Sequence, residues 1–264
     1  DFTLMVTLPC MVFDSFHMPF DLDALYRGGL ALAIAFVMAG AALAAGKVLY
    51  RRMPPGERCV IQYGTLVTNS GFAGLPVVAG AYGEEGLFLA SLFVIPTRIL
   101  MWSAGISLFE REGDRWQRAK KVLLNPSIIA VALGLARMAL QLPLPAFVYT
   151  AIGHVGDCTS PIAMALVGAI LADVEVRDVA EPKAGYLILV RQLALPVLCL
   201  AGLKLLGVDP LTTGVSVALT GMPIGSTTAI LAQKYGADAR FASKCVFLST
   251  LSSLVTVPLL TLLL

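Results

Sequence analysis

The chain has 264 residues, of which 58% are hydrophobic and 14% charged, and its formal net charge at pH 7 is +2. This much apolar side chain exceeds what one soluble core can bury, so the composition excludes an ordinary soluble domain and predicts an integral membrane protein. We expect the lipid bilayer as its surroundings and no nucleic-acid partner.

Nine apolar runs are long enough to cross the roughly 30 Å hydrocarbon core of a bilayer, which takes about 20 helical residues. They lie near residues 2–19, 29–49, 59–82, 86–109, 122–140, 146–171, 184–206, 211–232 and 241–264. The first run has already begun at Asp1, with no initiator Met, so we expect a further segment upstream. We predict an all-α protein with nine visible transmembrane helices.

Lys and Arg are concentrated in alternate loops between these runs. Fourteen of the nineteen lie in four loops: Lys47, Arg51, Arg52, Arg58, Arg111, Arg115, Arg118, Lys120, Lys121, Arg177, Lys183, Lys234, Arg240 and Lys244. The opposite loops hold Arg27 and Lys204 together with acidic residues. Because cytoplasmic loops carry the excess of Lys and Arg, we assign the four basic loops to the cytoplasm.

The polar linker EREGDRWQRAKK at 110–121 divides the chain into two halves, 1–112 and 113–264, which we predict to form one membrane domain. Each half has the same landmarks in the same order: a proline in a span (Pro9, Pro161), a Gly-x-Pro (Gly74-Leu75-Pro76, Gly221-Met222-Pro223), a Tyr-Gly (Tyr82-Gly83, Tyr235-Gly236) and a late proline (Pro96, Pro258). Four spans precede the linker and five follow it, so one more span at the N-terminus would make the halves equal. Repeats with an odd number of spans are inverted relative to each other.

Each Gly-x-Pro lies in the middle of a long apolar run, where glycine and proline remove helical hydrogen bonds. Backbone groups freed in this way need protein or water as partners, because lipid cannot satisfy them. We therefore predict two broken helices that cross near the bilayer midplane and build a substrate site from their exposed ends.

Polar residues flank both predicted breaks. The predicted substrate-binding residues here are Asn69, Ser70, Gly74, Leu75, Pro76, Met222, Pro223, Ser226, Thr227 and Thr228. The amides and dipole at the start of a half-helix favour an anion. The alternative for the hydroxylated residues is that they only permit close helix packing and satisfy the broken backbone. An Asn side chain within a span has no comparable packing role, so we favour a substrate-binding role for Asn69.

Two arginines, Arg98 and Arg191, lie within predicted spans, where charges are costly and usually functional. Because a guanidinium binds a carboxylate through two hydrogen bonds, we predict that both attract an anionic substrate. The alternatives are an internal ion pair or, for Arg191, snorkelling to the interface.

Two Asp/His pairs, Asp14 with His17 and His154 with Asp157, have three-residue spacing, so each pair can share one helix face. Since His titrates near neutral pH, these pairs are our candidates for proton coupling. The five cysteines show no Cys-x-x-Cys spacing, and we predict buried thiols and no metal site.

Several ordered motifs resemble one transporter family. They are NSGFAGLPVVAGAYGEEGLFLASLF at 69–93, NPSIIAVALGL at 125–135, TSPIAMALVGAIL at 159–171, VRQLALP at 190–196, GMPIGSTTAILAQKYGAD at 221–238 and STLSSLVTVPLL at 249–260. The family is that of the auxin efflux carriers, which contains plant auxin exporters and bacterial malonate-type carriers. The resemblance implies two inverted five-helix repeats with crossed broken helices, similar to bile-acid symporters and sodium/proton antiporters, and by analogy a homodimer. The segment LPCMVFDSF at 8–16 resembles part of the second family helix, so the first is missing from this chain.

Three other functional classes fit the sequence less well. A sodium or proton antiporter is expected to have an acidic residue at the crossing, and neither predicted break has one. The zinc and aspartyl motifs of intramembrane enzymes are absent from the sequence, and inverted repeats favour alternating access over a channel. We predict a secondary transporter of a small organic anion, a mono- or dicarboxylate, in the bacterial inner membrane. It needs no cofactor and no catalytic residues, and proton or sodium coupling stays an alternative.

Overall fold

The computed structural model describes residues 2–17, 22–109, 116, 120, 123–159, 161–162, 165 and 181–262. Within these residues the fold is built from helices, with one isolated antiparallel β-bridge between Thr68 and Ile224. The α-helices are α1 (Leu8–Asp14), α2 (Leu22–Leu49), α3 (Pro55–Leu66), α4 (Leu75–Leu100), α5 (Ile106–Phe109), α6 (Pro126–Leu140), α7 (Ala146–Asp157), α8 (Pro182–Ile188), α9 (Leu195–Leu205), α10 (Pro210–Thr220), α11 (Thr227–Lys234) and α12 (Ala239–Thr261).

The helical class and the membrane character of the chain agree with the prediction. Four of the described helical stretches are long and apolar enough to cross a membrane: Leu22–Leu49, Ser70–Leu100, Pro182–Leu205 and Ala239–Thr261. The count of nine spans stays a prediction, because the second part of the run predicted at 146–171 lies largely outside the described residues. The predicted division between residues 112 and 113 lies outside them as well.

The first helix break is not where the Gly-x-Pro motif predicted it. Helix α3 ends at Leu66, the chain is non-helical at residues 67–69, and a π-helical turn over Ser70–Gly74 leads directly into α4. Leu75 donates its backbone N–H to Ser70 O, five residues earlier. A turn of this width tolerates the missing N–H of the following proline, so Pro76 lies in continuous helix instead of interrupting it.

The second break does contain its predicted motif. Helix α10 ends at Thr220, and residues 221–226 are non-helical before α11 begins at Thr227. Pro223 lies inside this segment, where a residue without an N–H removes no helical hydrogen bond. The two breaks therefore have different local causes, although they occur at comparable places in the two halves.

A π-helical turn precedes a Leu-Pro pair at three places. Thr3–Thr7 precedes Leu8-Pro9, Ser70–Gly74 precedes Leu75-Pro76, and Leu189–Ala194 precedes Leu195-Pro196. In an ordinary α-helix a proline leaves one carbonyl without its donor and its ring crowds that carbonyl. The wider turn relieves this conflict, so all three prolines lie in continuing helices, including Pro76, where the sequence predicted a break.

Both Tyr-Gly landmarks contain a glycine with positive φ. The φ of Gly83 is 63° and that of Gly236 is 67°. Gly83 divides α4 between the runs predicted at 59–82 and 86–109, and Gly236 follows the end of α11. Each half-helix that follows a break thus ends in a turn that only glycine adopts without strain.

Helices from both halves share the largest apolar core. Within it, α4 packs between α2 and α10, and α1 packs against α6 and α7. Gly28 of α2 brings the two helices together, since a Cβ there would lie 2.5 Å from Leu92 Cδ1 of α4. The packing of α4 against α10 places the two breaks side by side.

The cysteines only partly match the prediction of buried thiols. Cys199 and Cys245 are buried, Cys10 and Cys59 are partly buried, and Cys158 is exposed. Cys158 follows the last turn of α7, whose outer face has no neighbouring helix among the described residues. Among the described residues, no group of His, Cys, Asp and Glu is arranged to hold a metal ion.

Candidate functional site

The two breaks bind each other through their backbones. The Asn69 N–H donates to Pro223 O at 2.8 Å, and the Gly225 N–H donates to Val67 O at 2.9 Å, on either side of the Thr68–Ile224 bridge. Each break therefore satisfies donors and acceptors that the other has freed. This pairing explains how two interrupted helices survive in the interior of a membrane protein.

A small cleft lies where the breaks meet. Its volume is about 30 Å³, room for about one or two water molecules. The lining residues are Val67, Thr68, Asn69, Ser70, Gly71, Phe72, Thr97, Arg98, Met101, Gly225, Ser226 and Thr227. Five of the predicted binding residues are thus brought together, namely Asn69, Ser70, Arg98, Ser226 and Thr227.

The beginnings of two half-helices line this cleft. After the first break the helical hydrogen bonds begin at Ala73, whose N–H donates to Asn69 O at 3.0 Å, so the amides of residues 70–72 precede them. After the second break they begin at Thr228, whose N–H donates to Gly225 O at 2.9 Å. The amides that precede the first bonds of a helix attract negative charge. Two such ends at one cleft reinforce each other.

Arg98 adds a full positive charge to the same cleft. The guanidinium lies against the backbone of Gly71, and a Cβ at Gly71 would collide with Arg98 Nη2. The salt bridges among the described residues are Arg27–Asp23 and Lys183–Glu57, both at 2.6 Å, so Arg98 has no acidic partner in the described part of the chain. A cation half-buried without a counter-ion is suited to a bound anion.

The side chains of Asn69 and Ser226 also lack partners. Asn69 is 9% exposed, yet its side chain makes no hydrogen bond within the described residues, and neither Asn69 nor Ser226 caps its helix. Most buried side-chain polar groups have a hydrogen-bond partner. An Asn amide and a Ser hydroxyl left free beside Arg98 can therefore orient a carboxylate.

Tyr63 fixes the position of Thr227 at the edge of the cleft. Its hydroxyl donates to Thr227 Oγ1 at 3.2 Å, and the Tyr63 ring is fully buried. The Thr227 hydroxyl in turn lies 4.0 Å from Met101 Sδ. Thr227 is thus already held by the protein, unlike Ser226 beside it.

Other predicted binding residues pack around the cleft instead of lining it. A Cβ at Gly74 would lie 2.7 Å from Leu219 Cδ2, so this glycine lets the first half-helix pack against α10. Pro223 contributes its carbonyl to the backbone pairing, and the hydroxyl of Thr228, fully buried, has no partner. Leu75, Pro76 and Met222 are buried in the core.

Arg191 lies apart from the cleft, at the end of α10. It is 6% exposed, and its Nη1 donates to Thr220 O at 2.5 Å, while its Nε has no hydrogen-bond partner. A cation at the C-terminal end of a helix is favourable because the exposed carbonyls carry partial negative charge. This position favours a role in stabilising the second break over direct substrate contact.

Gln192 extends the same support to α12. Its Nε2 donates to Ser249 O at 2.8 Å, and Ser249 Oγ accepts the N–H of Ile224 at 3.4 Å. Both Arg191 and Gln192 belong to the π-helical turn Leu189–Ala194. This turn therefore anchors the second break from two directions.

None of the four candidates for proton coupling lines the cleft. Asp14 and His17 lie beside Tyr149 of α7, with the His17 and Tyr149 ring centroids 3.7 Å apart and Arg137 over the Tyr149 ring at 5.9 Å. His154 and Asp157, on the same helix, are exposed. The structure thus groups Asp14 and His17 with Arg137 and Tyr149 where α1 meets α6 and α7.

Sequence reasoning missed several lining residues. Thr68 and Gly225 line the cleft because the breaks pair through their backbones, which no side-chain pattern reports. Gly71, Phe72, Thr97 and Met101 also line it. Gly71 and Thr97 are adjacent in sequence to the predicted residues Ser70 and Arg98. Met101 follows Arg98 by three residues, and this helical spacing was the signal available for it.

The chemistry of the described cleft lining favours a negatively charged ligand. Its lining contains one cation, hydroxyl and amide groups and free backbone amides, and no acidic side chain. A cation would find no countercharge at these lining residues, whereas a carboxylate would find a guanidinium and two helix N-termini.

Comparisons with known proteins show similarity to membrane transporters. A model of the family described as membrane transport protein matches residues 1–121 and 117–261. A protein of Methanothermobacter thermautotrophicus named uncharacterized transporter is 29% identical over 262 residues, which cover 96% of this chain and 84% of that protein. An uncharacterized transporter of Methanocaldococcus jannaschii is 25% identical over 210 residues, 74% of this chain and 65% of the relative.

Proposed function

The chain belongs to the membrane transport protein family, the group of the auxin efflux carriers, and we propose that it transports a small mono- or dicarboxylate across the inner membrane as a secondary carrier. The family membership agrees with the resemblance found in the sequence motifs. The substrate class and the mechanism are inferred from the cleft.

One observation carries the choice of an anion. Arg98 has no acidic partner among the described residues and faces a cleft lined by the free amides of two half-helices. Each of these features favours negative charge, and in the membrane interior their effect is weakly screened. A carboxylate bound in this cleft would compensate the charge of Arg98.

The lining residues have distinct proposed roles. Arg98 attracts the carboxylate, Asn69 and Ser226 orient it through hydrogen bonds, and the amides of residues 70–72 bind its oxygens. Thr227, held by Tyr63, shapes the wall of the cleft. A second carboxylate, as in malonate, would need room that this conformation does not provide.

The size of the cleft supports alternating access. A volume of about 30 Å³ is too small for a dicarboxylate, so the described conformation is closed around the site. Because the breaks are bonded to each other, they would move as one unit, and α1 packs mainly against α6 and α7. We propose that the paired breaks shift against this scaffold to open the cleft to each side of the membrane.

Coupling to protons or sodium is the second candidate within the same function. Asp14 and His17 lie together in the scaffold beside Tyr149 and Arg137, which favours a proton over sodium at that place. A carrier of sodium alone is less well supported, because the lining of the cleft contains no carboxylate.

Counterflow in proteoliposomes tests this proposal. Liposomes loaded with unlabelled malonate, succinate or acetate should accumulate the corresponding labelled anion, and sodium alone should drive no exchange. The Arg27→Gln variant, which removes an exposed cation outside the cleft, serves as the matched control and should retain exchange. Exchange of sodium without any organic anion would overturn the proposal.

A further inference from the structure

A second and larger cavity lies beyond the cleft, on the side that the basic loops assign to the cytoplasm. Its volume is about 450 Å³, and its lining includes Arg58, Cys59, Gln62, Phe109, Tyr235 and Gly236. Arg58 belongs to the first basic loop, and Tyr235 directly follows Lys234 of the last one. We call this cavity the vestibule.

Three aromatic rings in contact extend from the vestibule to the edge of the cleft. Phe109 and Tyr235 line the vestibule, and their rings are stacked with centroids 6.2 Å apart. The Phe109 ring also meets the Tyr63 ring at 5.3 Å. Tyr63 reaches the cleft itself, because its hydroxyl donates to Thr227 Oγ1. These three rings, the aromatic layer, therefore form a continuous chain of contacts from the vestibule to the edge of the cleft.

Two of the three rings lie at helix ends. Phe109 is the last residue of α5, which continues the helical stretch that begins at Ser70, and Tyr235 follows α11 and precedes Gly236, whose φ is 67°. At a helix end, a small change in backbone angle displaces a side chain. Tyr63 is held more firmly, in the middle of α3 with its ring against Gly105.

The charge of the vestibule suits the proposed substrate. Arg58 lies in its wall, and within the described part of the chain it has no acidic partner and no acidic residue lines the vestibule. A cavity with one sign of charge and apolar walls raises the local concentration of the opposite charge. A carboxylate approaching from the cytoplasm would thus meet one arginine before the aromatic layer and another behind it.

We propose that the vestibule is the cytoplasmic access site for the transported carboxylate, and that the Tyr63–Phe109–Tyr235 layer is the gate between it and the cleft. The identity of the ligand rests on the function proposed above. The route and its gate do not, because they follow from the two cavities and the rings between them. In the described conformation the gate is closed.

Thiol labelling tests the route without any substrate. Cys59 is a natural reporter in the vestibule, and Ser226→Cys places one in the cleft. Each is studied alone, with all other cysteines replaced by alanine, in membrane vesicles of both orientations treated with a membrane-impermeant maleimide. Cys59 should react from the cytoplasmic side, and Ser226→Cys should react slowly from that side.

Opening the gate should change the labelling rate of Ser226→Cys and leave that of Cys59 unchanged. Loss of one ring contact shifts a closed–open equilibrium by up to about tenfold, so Phe109→Ala should speed labelling of Ser226→Cys from the cytoplasmic side by about that factor. Tyr186→Ala is the matched control, because Tyr186 packs edge-on against Tyr50 and lines neither cavity. It should leave the labelling rate unchanged.

Two results would overturn the proposal. One is labelling of Cys59 from the outer side only, and the other is an unchanged rate at Ser226→Cys after the Phe109 ring is removed. If Phe109→Ala does not elute as a single species on size exclusion, Phe109→Leu replaces it, because leucine keeps the apolar volume and removes the stacked ring. The labelling rate of Ser226→Cys in that variant then gives the same test. A failure of carboxylate exchange with normal labelling would reject the proposed function and leave the gate in place.

Discussion

Asn69 donates its backbone N–H to the carbonyl oxygen of Pro223 at 2.8 Å, and this hydrogen bond joins the two interrupted helices of the protein. Because the bond uses the backbone, the Asn69 side chain stays available in the cleft. The residue thus has two separable roles, one in the fold and one in the proposed site. Substitutions that change only its side chain distinguish them.

Asn69→Ala should weaken carboxylate binding and leave stability almost unchanged, because the pairing of the breaks does not use the side chain. Loss of one or two hydrogen bonds to a charged ligand is worth roughly 1.5–3 kcal/mol each, or a factor of about ten or more in affinity. Isothermal titration calorimetry and thermal unfolding measure the two quantities. Asn125→Ala is the matched control: Asn125 accepts the Ser127 N–H at 3.0 Å as the cap of α6, so its loss should lower stability by about 1 kcal/mol and leave affinity intact.

Gly71→Ala should impair binding by displacing Arg98. The added methyl group meets the guanidinium, which must leave its place against the backbone. Gly80→Ala, later in the same half-helix, meets nothing within 4 Å and should be neutral or slightly stabilising. Uptake of labelled carboxylate by the two variants at equal expression gives the comparison. Equal uptake by both would show that Arg98 can bind from another position.

Gly236→Ala should lower the melting temperature of the purified protein. The φ of 67° is unfavourable for alanine by about 1–2 kcal/mol, and this turn ends the half-helix that follows the second break. Gly83→Ala should have the same effect in the first half, because its φ is 63°. Gly185→Ala, an unstrained helical glycine with open space around it, is the control. A melting temperature equal to that of the control would mean that the turn adjusts at no cost.

Arg191→Met should reduce stability more than affinity. The substitution leaves the Thr220 carbonyl without its donor in a buried place, which costs about 1–3 kcal/mol. Differential scanning fluorimetry without ligand should therefore report a lower melting temperature than that of the wild type. If instead affinity fell by a large factor with the melting temperature unchanged, Arg191 would belong to the substrate site.

Much of the fold was readable from the sequence because its signals are local. Composition predicted the membrane character. The Tyr82-Gly83 and Tyr235-Gly236 landmarks, paired in the sequence as equivalent positions, both have a glycine with positive φ. Pro223 marked the second break correctly. Pro76 did not mark the first, because a π-helical turn relieves the proline and the interruption occurs at residues 67–69.

The sequence predicts those residues of the cleft that have polar side chains. It does not predict the residues that line the cleft through backbone pairing. Asn69, Arg98 and Ser226 are polar residues in apolar spans, and each lines the cleft. Arg191 has the same sequence character and lies elsewhere, because only the packing of α9 against α10 shows which carbonyl it meets. Thr68 and Gly225 take part through main-chain contacts that leave no trace in a residue pattern.

The most direct test of the central claim is the effect of a dicarboxylate on the thermal stability of purified wild-type protein and of Arg98→Gln. A ligand that prefers the folded protein raises the melting temperature with its concentration. Malonate, succinate or a related anion should raise the melting temperatures of the wild type and of Arg27→Gln. The melting temperature of Arg98→Gln should stay unchanged. Equal stabilisation of the wild type and Arg98→Gln would contradict a carboxylate site built on Arg98 and the two joined breaks.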